Sequence, residues 1–474
     1  MSLTRSFVAL IVVATVAMML PATRAVAAGH TFEHETVPGQ GGIDIAITIF
    51  KPAGASAASD VPVVLHSHGW GGSREAEITP MVEQYLDAGF GVVSIDQRGH
   101  GESGGQANVQ DPSLEAEDIQ NVIDRVAELN WVQHNTAKNG KPIGDDPVLG
   151  AIGASYGGGY QTMTALDEIA EAGHTRFDAL APQITWYDLP ESLAPQKVVR
   201  SAWNVVLYGA GASMVPNFIH EAFAWGTTTG QWPDGTLYGE PVDGAPNLDK
   251  RFHKHSPVAF AEKGIRIDVP VLLRQGTSDN LFNLNQGLKL IDDAVTPKAR
   301  SQSYLVAYNG GHALPNVLPH GSPVAAEVGG GVDACSPKGD FNSLTIEFFR
   351  RVFTEKSTAG LLPGRYNLTT LDAEKCLSMD AIRGKVVPVD PLGAGSVATT
   401  QAAGAPIHLP IADFPTTITG VPTLKGTVAS TALDGRAFFG LSVGTTPADA
   451  AVIQNNLMPL RQILPTAGAK FKIE

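Results

Sequence analysis

The sequence predicts an α/β fold: a doubly wound, mostly parallel sheet with an inserted helical cap and a small C-terminal β-domain. Two observations carry this reading. Residues 61–66 and 90–95 are continuous apolar runs, each ended by a Gly-rich or polar turn, and residues 81–88 between them carry helical spacing. Continuous runs rather than alternating ones, separated by helices, indicate strands covered on both faces.

The elements follow in order. Residues 43–49 alternate strictly between apolar and polar side chains, the pattern of a strand with one exposed face. Residues 114–129 place Leu114, Ile119, Val122, Ile123 and Val126 on one helical stripe. Strands are expected at 148–152, 179–186, 269–273 and 303–307, helices at 160–170 and 341–352, and roughly eight strands in all. The α/β domain is assigned to 28–189 and 263–356. Residues 190–262 interrupt its rhythm with Trp203, Phe218, Phe223, Trp225 and Trp232, the composition of a cap over a site or of a small helical subdomain. From about Gly360 the helical signals fade. Residues 417–421 and 437–441 read as strands between Gly and Pro turns, so 360–474 is assigned to the β-domain.

Composition narrows the function classes. The chain has 474 residues, with 33 Lys+Arg against 47 Asp+Glu and a net charge of −14. That length fits two or three domains, and 43% hydrophobic residues rules out wholesale disorder. An acidic chain without basic clusters does not suit nucleic acid, and no basic amphipathic segment is present to hold an anionic membrane.

The first residues read as a secretory signal peptide, residues 1–27. Arg5 gives a positive start, residues 7–20 an apolar run, and Ala25-Val26-Ala27 a small-residue site with the cut expected after Ala27. The run is too short for the roughly 20 residues that span a bilayer, so a secreted, extracellular protein with no later membrane span is expected. In an oxidising compartment Cys335 and Cys376, the two cysteines, permit one disulfide; two buried free thiols are the alternative.

Three stretches match G-x-S-x-G, centred on Ser103, Ser155 and Ser442. Context selects among them. Ser103 follows a polar turn with no strand leading into it, and no histidine follows Ser442. Ser155, in Gly153-Ala154-Ser155-Tyr156-Gly157, follows an apolar strand and precedes a helix, the strand–turn–helix context that exposes a nucleophile. A serine hydroxyl needs a base in hydrogen-bond reach and an acid to orient that base. His312 comes just after the last expected strand of the domain, with His320 as its rival; His253 and His255 lie earlier in the chain. Asp279, in Gln275-Gly276-Thr277-Ser278-Asp279, sits at a strand's carboxyl end, where such sheets hold their sites; Asp188 is the alternative, and Asp292 and Asp293 read as helix surface. The oxyanion donors expected are the backbone N–H groups of Tyr156 and Trp70. His66 and His68 lack a third ligand and read as structural, and Arg98 in the 96–104 turn is given no chemistry.

These motifs (the run Asp96 to Gly104, Gly153-Ala154-Ser155-Tyr156-Gly157-Gly158, Gln275 to Asp279, and Gly311-His312) resemble those of the α/β-hydrolases of the Xaa-Pro dipeptidyl-peptidase and cocaine esterase group. The resemblance covers most of 30–355 and, more loosely, 415–474. It implies Ser155, Asp279 and His312 as the triad, a helical cap and a C-terminal β-sandwich. That group often takes an oxyanion donor from a tyrosine hydroxyl, where this chain offers Trp70 instead. The expected activity is hydrolysis of an ester or related acyl bond on a small molecule, without metal or organic cofactor. An Xaa-Pro dipeptidyl-peptidase acting on short peptides is the alternative, for which Glu191 or Asp188 could hold a free amine. The remaining alternative is an exported binding protein that keeps the fold without turnover.

Overall fold

A computed structural model of the chain describes residues 29–312, 333–336, 340–370, 374–382, 421–446, 449–453 and 457–473. The expected signal peptide, His320 and the expected strand at 417–421 except for Val421 lie outside them.

Among the described residues, ten strands form the central sheet: β1 (Thr31–Pro38), β2 (Asp44–Lys51), β3 (Val63–Ser67), β4 (Gly91–Ile95), β5 (Leu149–Ala154), β6 (Ala179–Gln183), β7 (Leu272–Gly276), β8 (Tyr304–Tyr308), β9 (Tyr366–Thr369) and β10 (Cys376–Met379). Their order is β1-β2-β4-β3-β5-β6-β7-β8-β9-β10. From β4 to β9 every pairing is parallel, while β1, β2 and β10 join antiparallel at the edges. The fold class is the one the sequence predicts.

The continuous apolar runs are buried on both faces. On β3, Val63 and Leu65 pack with α2 (Glu117–Ala127) through Ile119, Val122 and Ile123, while Val64 turns to the other face with Val82, Tyr85, Phe348 and Phe349. Each such side chain contributes roughly 1.5–3 kcal/mol by leaving water. The second face is closed by α1 (Pro80–Asp87) and by the helix Phe341–Phe353.

Three expectations need correction. Strand β2 has no exposed face: Thr48 and Phe50 are fully buried, because Arg74 and His34 hydrogen-bond the Thr48 hydroxyl and Phe50 packs among Val64, Val82 and Tyr85. The helix that begins at Leu114 in the sequence starts as a π-turn at Pro112–Ala116 before α2. Finally, residues after Gly360 do not all leave the sheet, since β9 and β10 extend it to ten strands. Beyond them, the strands Leu424–Ser430 with Thr466–Ile473 and Gly435–Phe439 with Met458–Gln462 form separate antiparallel pairs.

Between β6 and β7 the chain builds a helical segment. After α3 (Tyr156–Ala172), which precedes β6, this segment holds α4 (Leu189–Leu193), α5 (Ser201–Gly211), α6 (Asn217–Thr229), α7 (Leu248–Lys254) and α8 (Pro257–Glu262). Its apolar side chains, among them Trp203, Trp232 and Phe252, join Tyr156, Trp186 and Phe282 in one buried cluster at the carboxyl end of the strands. Cys335 and Cys376 are joined as a disulfide, which ties the segment before Phe341–Phe353 to the edge strand β10.

Candidate active site

Ser155 sits between β5 and α3 with φ 58° and ψ −116°, a backbone region non-glycine residues rarely adopt. Its neighbours explain how the turn closes. Gly153 has φ 149°, and a Cβ there would lie 2.5 Å from the Gly157 carbonyl oxygen; one on Gly157 would lie 2.3 Å from the Ser67 carbonyl oxygen. Rigid backbone on both sides therefore admits only glycine. The Ser155 N–H is anchored to the Gln183 carbonyl of β6, at 2.9 Å. Helix α3 then begins at Tyr156, so its unpaired first N–H groups and positive dipole end lie beside the serine hydroxyl.

The structure brings Ser155, His312 and Asp279 together. His312 Nε2 lies 3.1 Å from Ser155 Oγ, and His312 Nδ1 hydrogen-bonds Asp279 Oδ2. A carboxylate only accepts, so Nδ1 carries the proton and Nε2 presents its lone pair to the serine hydroxyl. The other Asp279 oxygen, Oδ1, accepts the N–H groups of Leu281 at 2.9 Å and Phe282 at 2.8 Å. Asp279 is fully buried and His312 nearly so, while Ser155 is half-buried. The acid loop and histidine loop are stitched together by Thr277 N–H to Tyr308 O and Ser278 N–H to Gly310 O, both 3.0 Å.

The loop that carries Trp70 runs directly beside the serine, since a Cβ on Gly69 would lie 3.8 Å from Ser155 Cβ. The Trp70 ring meets that of Tyr156 edge-on at 5.1 Å, and its Nε1–H donates to the Leu207 carbonyl of α5 at 2.8 Å. His312 is flanked by two further rings, Trp203 at 5.4 Å and Phe282 at 5.2 Å, each near-perpendicular to the imidazole.

The residues set aside in the sequence lie elsewhere or are otherwise engaged. Ser103 Oγ donates to Asp96 O at 2.7 Å and accepts from Ala46 N at 2.8 Å. His66 hydrogen-bonds Ser94 Oγ, and burial pushes its pKa down to about 4; His68, also lowered by burial, is held by Gly69 O and Gln97 N. Arg98 pairs with Asp118 at 2.7 Å, both buried. His253 pairs with Glu262, and His255 contacts Val109 O and Asp111. Asp188 caps α4 through the Glu191 N–H, and Asp292 accepts from the Tyr366 hydroxyl. Asp188 and Glu191 also line an open cavity of about 490 Å³ with Lys197, Asp249, Lys250 and Lys254.

Asn280, Phe282 and Trp203 are the neighbours of the histidine and acid that the sequence reading left without a part. Asn280 directly follows Asp279 and could have been found by adjacency. Nothing in the spacing pairs position 203 with 280 or 312.

The match to a family model covers residues 41–314, and that family is the X-Pro dipeptidyl-peptidase family (S15). The chain is 30% identical over 107 residues to an uncharacterized 31.7 kDa Escherichia coli protein from the traX-finO intergenic region, an alignment covering 23% of this chain and 33% of that protein. It thus spans about a third of the length of the curated relatives it matches. Among solved structures, a Pyrococcus furiosus esterase is 16% identical, with 68% of this chain and 91% of that one covered at a TM-score of 0.40. The Pyrococcus horikoshii acylaminoacyl peptidase is 16% identical, with 70% and 44% covered at a TM-score of 0.44.

Proposed function

We propose, since this chain belongs to the X-Pro dipeptidyl-peptidase (S15) family, that Ser155, His312 and Asp279 hydrolyse an ester or related acyl bond through an acyl-enzyme. The chain is a serine hydrolase. The observation that carries the reading is the hydrogen-bonded series Asp279–His312–Ser155, with the serine on a strained turn at a helix N-terminus.

The steps follow from that geometry. His312 Nε2 takes the Ser155 proton as Oγ forms a bond to the substrate carbonyl carbon. The buried Asp279 carboxylate stabilises the imidazolium so formed. The oxyanion is received by the N–H groups of Tyr156 and Trp70, aided by the positive end of α3. As the carbonyl reforms, the C–O bond to the leaving group breaks and the imidazolium gives its proton to the departing alcohol. Water, deprotonated by His312, then cleaves the acyl-serine bond in the same way.

An ester is favoured because the cluster around the triad is apolar and aromatic, built from Trp70, Trp203, Phe282 and Leu207. One observation supports the peptide reading: Asp188 and Glu191 line the cavity, where burial holds the Glu191 carboxyl above its usual range. The same wall carries Lys250 and Lys254, and Lys197 paired with Asp249, so its charges balance, and none of Ser155, His312 and Asp279 lines it. The protein acts after export; the single disulfide supports that reading, as disulfides persist in oxidising compartments. Among the described residues no helix is long and apolar enough to cross a membrane.

Rates on a short-chain p-nitrophenyl ester and on an Xaa-Pro p-nitroanilide, with Ser155→Ala beside each, test the assignment. The ester is turned over and the variant is inactive. Preference for the anilide would transfer the assignment to dipeptidyl-peptidase.

A further inference from the structure

We propose that the first turn of α5 is a positioning element for the catalytic site, with Trp203 as the residue that holds His312 in place. The inference rests on the triad reading above and adds a cap residue to it. Trp203 is 7% exposed, and its two polar and apolar functions point to two different members of the site. Its Nε1–H donates to Asn280 Oδ1 at 2.8 Å, and its ring stands edge-on to the His312 imidazole at 5.4 Å and 85°.

Asn280 is the residue between the triad acid and the two N–H groups that fix the acid's Oδ1. It is gripped twice from the same turn, because the Arg200 guanidinium donates to its backbone carbonyl while Trp203 donates to its side chain. Moving this turn therefore disturbs the Asp279 loop and removes a wall from His312 together. The far end of α5 is fastened as well. The Trp70 indole donates to Leu207 O, and Gly211 packs so closely on the Trp70 ring that a Cβ there would meet it at 2.4 Å. One cap helix thus bridges the acid loop and the loop assigned as oxyanion donor. Placement errors near 1 Å are enough to cost a large factor in rate, so a site assembled partly from its cap depends on the cap being docked.

Trp203→Ala, Trp203→Phe and Ser155→Ala are compared with wild type on p-nitrophenyl acetate, whose acyl group is too small to need an acyl pocket. Inactivation by a small fluorophosphonate and the downfield proton resonance of His312 Nδ1–H are followed in parallel. Trp203→Ala lowers kcat and the inactivation rate about 10²-fold with little change in KM, and broadens the resonance. Trp203→Phe keeps a ring beside His312 but loses the bond to Asn280; it retains the wild-type melting temperature to within a few degrees and loses about tenfold in kcat. Unchanged acetate kcat and an unchanged resonance in both Trp203 variants, with Ser155→Ala inactive, would overturn the positioning role and leave the triad standing. Turnover surviving in Ser155→Ala would overturn the triad, and the inference with it.

Discussion

Gly157 and Ser67 stand so close that a Cβ on the glycine would lie 2.3 Å from the serine's carbonyl oxygen. The contact couples β3 to the start of α3 through backbone alone, so no side chain can yield. Gly157→Ala is expected to lose at least about 2 kcal/mol of stability, as overpacking against rigid atoms does, and most ester turnover. Urea unfolding and steady-state kinetics on one preparation check both.

The disulfide between Cys335 and Cys376 closes a loop with a sequence separation of 41. The chain-entropy model gives about 4 kcal/mol for such a loop. Cys335→Ser with Cys376→Ser is expected to lower stability by about 2–4 kcal/mol while the isolated ester reaction continues at a temperature where the variant is folded. Calorimetry with and without reductant measures this.

Asp167 is buried against Glu117 and Glu171, their carboxylates lying within 4.8 Å of one another. Burial first, then Glu171 and Glu117, push its carboxyl up to about 7. The unfolded chain releases that proton near the ordinary carboxylate value, about 4, and the folded chain keeps it to about pH 7. Stability therefore falls as pH rises between those values. Asp167→Asn is expected to raise the melting temperature at pH 8, to change it little at pH 4, and to flatten the slope between; a pH series of thermal melts decides.

Arg461, on the strand Met458–Gln462, reaches the cap from the C-terminal strands: it pairs with Asp434, donates to Gln231, and reaches Lys197 O at 3.3 Å. Its guanidinium is 6% exposed and Asp434 12%. Arg461→Leu removes one of the two arginines paired with Asp434, Arg436 remaining at 2.7 Å, and is expected to cost about 2 kcal/mol. A double-mutant cycle with Asp434→Leu in denaturant measures the coupling between the two.

Much of the sheet, and the residues Ser155, His312 and Asp279 that the structure brings into contact, could be read from the sequence because local chemistry specifies them. Continuous apolar runs marked β3, β4 and β8, and the glycines around Ser155 marked the turn by the same backbone crowding that the structure displays. The strand before Asp279 was expected at 269–273 but lies at Leu272–Gly276, since Arg274 and Gln275 are buried in it and polar side chains hid its continuation. Strands β9 and β10 were hidden for a different reason. They are short and half-apolar, and they follow a helix that reads as the last of the domain, so only pairing with β8 reveals them. The contacts of Trp203 with Asn280 and His312 join positions 77 residues or more apart, and no periodicity records them.

The central claim is that Ser155 is the nucleophile, and covalent labelling tests it most directly. Wild-type protein treated with a fluorophosphonate, digested and mapped by mass spectrometry should carry one adduct, on the peptide containing Ser155, with esterase activity falling in proportion to labelling. Ser155→Ala should take up no label. Labelling of another serine that parallels the loss of activity, or full activity in fully labelled protein, would contradict the account.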